Sequence, residues 1–232
     1  MPIERNNGFL EFHDLGITPS LGLESSRLAD CIDEVQRREW RGVFGNPGFG
    51  FRESDLDFLE ALPELEQVWL WDGQLKDIEG LYALRDLRYL GIHPDRPGID
   101  FSRFLSLETL VWAHNKHDPG VAELPMLREL FVWHFKPRAK SFDGLAIPQS
   151  VEQLEINWAN PETLDGLPTL PRLRKLEFHR CRNLASLAGL DRIAPNLETL
   201  LIGSSGKVDI DSLPALPDTL RRVVINHQLI KE

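Results

Sequence analysis

The sequence has little of what most enzymes and secreted modules are built around. It holds two cysteines, Cys31 and Cys181, 150 positions apart, with no CxxC pair and no Cys/His cluster around either. That usage argues against a disulfide framework or structural zinc and makes a reducing compartment the expected setting. No stretch approaches the roughly 18 to 20 uninterrupted apolar residues that a spanning helix needs. Met1 to Gly8 are polar and lack the apolar core of a signal peptide, so a cytoplasmic location is expected. Positive charge is scarce too: 26 Lys and Arg stand against 36 Asp and Glu, a net charge of −10. Such a balance repels phosphate backbones and argues against nucleic acid as a partner; it suits a basic protein better. No nucleophile elbow, phosphate-binding glycine loop or zinc-protease helix occurs, so neither catalysis nor a cofactor is expected.

What is present is a period. The frame L-x-x-L-x-L, with apolar substitution, recurs at Leu65/Val68/Leu70, Leu87/Leu90/Ile92, Leu107/Leu110/Trp112 and Leu127/Leu130/Val132. It continues at Val151/Leu154/Ile156, Leu173/Leu176/Phe178, Leu197/Leu200/Ile202 and Leu220/Val223/Ile225, with starts 22, 20, 20, 24, 22, 24 and 23 residues apart. Alternation inside each frame predicts a short strand with one buried face. A second apolar set at three-residue spacing, such as Leu75/Ile78/Leu81/Leu84, predicts a 3₁₀-like return. Pro63, Pro125, Pro148, Pro171, Pro195 and Pro217 sit where each return must stop, since proline holds φ and lacks a donor. A coil this small cannot bury its leucines alone. Neighbours must stack and share one core, with their strands forming a parallel sheet.

The stretch Gln74-Leu75-Lys76-Asp77-Ile78-Glu79-Gly80-Leu81-Tyr82-Ala83-Leu84-Arg85-Asp86-Leu87 resembles the roughly 22-residue subclass of leucine-rich repeats found in bacterial internalins and in phosphatase-regulating proteins. The resemblance covers about residues 40 to 230. It implies an α/β solenoid with a parallel sheet on the concave face and irregular turns on the convex one, and it leaves function open. That family usually places Asn or Cys eight positions after the first leucine, where it bonds neighbouring backbone. Asn115 and Cys181 fit, whereas Gly73, Asp95, Phe135, Ala159 and Ser205 do not, so a broken ladder is expected, with a bulge at Phe135, Lys136 and Pro137.

Upstream, Leu28, Ile32 and Val35 fall at helical spacing after Ser25-Ser26, whose hydroxyls suit a helix start. Residues 1–38 read as an N-terminal cap and 39–232 as eight to nine coils, a single domain overall. Trp40 to Phe44 reads as the first strand and Leu56/Leu59/Leu62 as its return. The last strand, Leu220 to Asn226, leaves an edge for His227 to Glu232 or for a second molecule to cover, and hence a dimer open as an option.

The residues between the anchors point to the open face of the sheet. The expected partner-binding set is Trp69, Trp71, Tyr89, His93, Phe131, Trp133, Glu155, Asn157, Glu177 and His179. Two aromatic pairs, Trp69/Trp71 and Phe131/Trp133, stand three strands apart, roughly 14 Å at about 4.8 Å per strand. Gly91, Val111 and Ala113 between them make a small floor. Beyond lie Glu129, Glu155 and Glu177, opposed by Lys175. Trp112 falls on a core anchor, while Trp158 just past its strand fits either role. His114, His117, Asp118 and His134 lie in loops of common turn composition, and no metal is assigned to them. Cys181 points inward while Glu177 and His179 point out, so they make no nucleophile–base pair. The reading that follows is a non-catalytic scaffold whose concave face binds a protein with basic residues, in the manner of an inhibitor or immunity protein. The alternative is a small ligand or glycan stacked on the tryptophans; a third is assembly through the C-terminal edge.

Overall fold

The computed structural model describes residues 3–93, 95–205, 207–208 and 216–231. Met1 and Pro2 of the expected cap and Glu232 of the expected tail lie outside them. The chain divides into two compact units, Met1–Gly120 with Leu124–Met126 and Val121–Glu123 with Leu127–Glu232.

In the first unit an antiparallel hairpin, β1 (Glu4–Asn6) and β2 (Phe9–Phe12), leads into β3 (Ser20–Gly22), which pairs antiparallel with β2. Helix α1 (Leu28–Arg37) follows, and then β4 (Gly42–Gly45), β5 (Gln67–Leu70), β6 (Tyr89–Ile92) and β7 (Thr109–Ala113) stack in parallel register from β3 onward. The helix stands where its spacing predicts, but its start is made differently. A 3₁₀ turn at Ser25–Arg27 precedes it, no side chain caps it, and Ser25 Oγ accepts from Arg52 N–H instead. The cap's three strands are a further addition. Asn7 and Gly8, both with positive φ, make the tight turn of the first hairpin.

The second unit carries β8 (Glu129–Trp133), β9 (Gln153–Asn157), β10 (Lys175–His179), β11 (Thr199–Gly203) and β12 (Arg222–Ile225), all parallel. The tail turns back as β13 (Gln228–Lys231), antiparallel to β12 and fully exposed. Returns in the first unit are 3₁₀ turns at Asp57–Ala61, Glu79–Ala83 and Phe101–Arg103; in the second, Leu190–Ile193 forms one short helix, α2. The frame's anchors are buried throughout, Trp112 among them. Coils approach so closely that a Cβ on Gly80 would lie 1.9 Å from the carbonyl oxygen of Leu56.

The ladder position is less broken than the residue types imply. Asn115 donates to Arg96 O and the Cys181 thiol to Ile156 O. Ser205, against expectation, does the same work: its hydroxyl donates to Phe178 O at 3.4 Å and accepts from Cys181 N at 3.1 Å. Phe135 is no bulge. It is buried and stacked on Phe142 at 6.0 Å, while Asn160 and Asn183, displaced along their coils, bond Pro137 O and Asn160 O. Near Asn115 a fully buried ion pair, Arg96–Asp118 at 2.6 Å, also draws in Ile99 N–H and the Trp112 indole.

One residue past each frame's first anchor, charge alternates: Arg41, Glu66, Arg88 and Glu108 in the first unit, then Arg128, Glu152, Arg174, Glu198 and Arg221 in the second. Arg88 bridges Glu66 at 3.3 Å and Glu108 at 2.9 Å, and Arg174 meets Glu198 at 3.1 Å. Within each unit these residues follow one another on successive coils with opposite sign, and Arg128 also meets Glu152 at 3.6 Å. We expect Arg88→Glu to lower unfolding stability by about 1 kcal/mol in low salt, a loss that 1 M salt largely removes because the pairs are exposed. Denaturant titration at two salt concentrations checks this.

Candidate functional site

Register builds the open face in rows. In the second unit, Glu129, Gln153, Lys175, Thr199 and Arg222 form one row, and Phe131, Glu155, Glu177, Leu201 and Val224 the next. Trp133, Asn157, His179 and Gly203 form the third. Parallel neighbours stand about 4.8 Å apart, so Phe131, Glu155 and Glu177 are adjacent, as are Trp133, Asn157 and His179. Phe131, Trp133, Glu155 and His179 are half-buried, and Glu129 is exposed. Asn157 and Glu177, expected as contact residues, are buried, at 5% and 6% exposure. They hold neighbours in place: the Asn157 amide donates to Glu155 Oε1 at 2.8 Å, and Glu177 binds both the Lys175 ammonium and, through Oε2, His179 Nε2 at 2.7 Å. Burial pushes the Glu177 carboxyl up, but its bonds to Lys175 and His179 outweigh that and hold it below the usual carboxylate range. The carboxylate stretch is therefore partly neutralised from within, and Arg222 adds an exposed positive charge on the row of Glu129 and Lys175.

Past the ends of β5, β8, β9, β10, β11 and β12 the chain takes a left-handed step, at Asp72 in the first unit and at His134, Trp158, Arg180, Ser204 and Asn226 in the second. Such a conformation costs a non-glycine residue roughly 1–2 kcal/mol and swings the side chain to the rim of the face. That settles Trp158. It stands on the rim, with Arg180 over its ring at 4.5 Å and His134 6.2 Å away.

The first unit's face is filled at its start by the chain's own N-terminal segment. Gln67 is fully buried: its Oε1 accepts from Ile17 N and Thr18 N, and its Nε2 donates to Leu15 O, Thr18 O and Ser20 Oγ. The same loop covers Tyr89, which is 8% exposed and whose ring would meet a Cβ on Gly16 at 2.8 Å. Tyr89 thus packs under the cap and offers no contact surface. Trp69 and Trp71 remain half-buried, stacked on each other at 5.7 Å and 10°, with the His93 ring edge-on to Trp71 at 5.6 Å. Gly91 is small for a reason, since a Cβ there would lie 2.2 Å from Trp69 Cδ1. Burial lowers the pKa of His93 despite Asp72 and Asp95 nearby. Trp69 and Trp71 stand in the first unit and Phe131 and Trp133 in the second, and the geometry of each pair is that of its own unit.

Asp118 is taken by Arg96, and among the described residues the set of potential ligands that converges is Glu155, Glu177 and His179, whose donor atoms lie within 4.8 Å of one another. Cys181 is buried with its thiol on Ile156 O, and burial pushes its pKa up to about 11.

No protein-family model matches the chain, and no curated protein matches it. Among solved structures, the crystal structure of an internalin, InlF from Listeria monocytogenes str. 4b F2365, is similar with a TM-score of 0.61 at 17% identity, over 90% of this chain. The fold is a leucine-rich-repeat solenoid. This solenoid spans 60% of that internalin's length, and the likeness is one of fold. No helix among its described residues is long and apolar enough to cross a membrane.

The solenoid's two cysteines are free and buried, and burial raises both thiols. A thiol so raised stays protonated and unreactive at pH 8. Iodoacetamide at that pH is expected to leave Cys31 and Cys181 unlabelled in the native chain and to label both in urea, read by intact-mass spectrometry.

Proposed function

We propose that the solenoid is a non-catalytic protein-binding scaffold whose open face in the second unit grips a partner carrying basic residues. One observation carries this reading: Phe131 and Trp133 stand half-exposed beside Glu129 and Glu155 on three adjoining rows, whereas the first unit's face is filled at its start by its own N-terminal segment. Aromatic side chains ringed by carboxylates suit a partner that buries an apolar group and sets Lys or Arg at the rim. The net charge of −10 favours encounter with such a partner and fits an inhibitor or immunity-type role. Two free buried thiols support a cytoplasmic setting.

A glycan bound on Trp69 and Trp71 is the weaker reading. Each indole already uses one face on the other, and the cavity beside Trp71, lined by Phe51, Leu70, Leu75 and His93 among others, holds about 10 Å³, no more than one water.

The test compares proteins retained from a lysate by the wild-type chain and by Phe131→Ala/Trp133→Ala, with Glu155→Gln as a charge control. A specific partner should lose at least tenfold in affinity with the aromatic pair removed, and several-fold with Glu155→Gln. Identical partner sets and affinities would remove this face from consideration.

A further inference from the structure

We infer that Glu155, Glu177 and His179 form a binding site for a divalent transition-metal ion, zinc by the chemistry of its donors, on the open face of the second unit. The strands dictate the convergence. Glu155 and Glu177 are direct neighbours on β9 and β10, and His179 lies two residues on from Glu177, so all three side chains leave the same face of the sheet. Their donor atoms already fall within 4.8 Å of one another. Ligands about 2.1 Å from a common ion stand at most about 4.2 Å apart, so small side-chain rotations close the set.

Each carboxylate is held through Oε1 by a neighbour on its own strand, Glu155 keeps Oε2 open, and Glu177 turns Oε2 to the third member of the set. Asn157 donates to Glu155 Oε1 and Lys175 to Glu177 Oε1. Glu177 Oε2 faces His179 Nε2 at 2.7 Å, a contact into which an ion can insert by replacing the hydrogen bond. The outer contacts have the form that orients ligands around metals. The imidazole's other nitrogen is fixed by packing, because His179 Nδ1 lies over Gly203, where a Cβ would come within 2.8 Å. Asn157, 5% exposed, spends its Nδ2 on Glu155 Oε1 and so orients that carboxylate from beneath the face. The imidazole nitrogen favours a transition ion over calcium and magnesium, which prefer all-oxygen sets, and three ligands of the His and Glu kinds leave zinc its open fourth position. This inference stands independently of the protein-binding reading.

The test is titration of the full chain with zinc chloride against a fluorescent zinc indicator, and with cobalt(II) followed by visible absorption. One equivalent is expected to bind, with intense d–d bands marking a four- or five-coordinate cobalt. Glu155→Gln, Glu177→Gln and His179→Ala should each weaken binding at least tenfold, whereas His117→Ala leaves it unchanged. Gly203→Ala, which removes no ligand, should weaken binding by displacing the His179 ring, with circular dichroism reporting that each variant folds. No binding at 100-fold excess of zinc over protein, or equal binding when all three ligands are replaced, would overturn the site.

Discussion

Every part of this chain depends on the inability of a coil of about twenty residues to bury its own leucines. Each coil completes its core only with the next, so strands must run parallel and in strict register, because a one-residue slip would turn every anchor outward. The observed pairing keeps Val68 beside Leu90 and Leu110 in the first unit, and Leu130 beside Leu154, Leu176 and Leu200 in the second. The same register that aligns the anchors also aligns the residues between them. The open face is a by-product of the core: Glu155 meets Glu177 because Leu154 must meet Leu176.

Whatever repeats was legible in the sequence, since periodic spacing reports a local condition imposed many times. The strands, their buried anchors, the 3₁₀ returns and the inward direction of Cys181 all follow from it. What escaped is singular. The clamp on Gln67 joins it to residues about fifty positions earlier, and nothing near Asp14 to Thr18 repeats anything. Tyr89 reads as a contact residue because its frame position is outward, and frame position does not report what else lies on that face.

Chemical substitution also hid from the pattern. Ser205 does not resemble asparagine at the ladder position, yet a hydroxyl at that depth finds the same kind of carbonyl. The burial of Asn157 and Glu177 was likewise invisible, because strand alternation assigns a side chain to a face but not to a depth. The strand pattern groups Glu177 with its acidic neighbours, whereas in the folded chain it is the point where Lys175 and His179 meet.

The alternating charges along one rim carry a consequence for how such an array can change length. A coil that begins with Arg is followed by one that begins with Glu, so loss of a single coil, for example residues 151–172, would set Arg128 against Arg174. Loss of two, residues 151–196, would set Arg128 against Glu198 and keep every sign matched. The core alone is indifferent to parity, since one leucine coil stacks as well as another. The rim is not, and it makes the pair of coils, rather than the single coil, the natural unit of insertion and deletion.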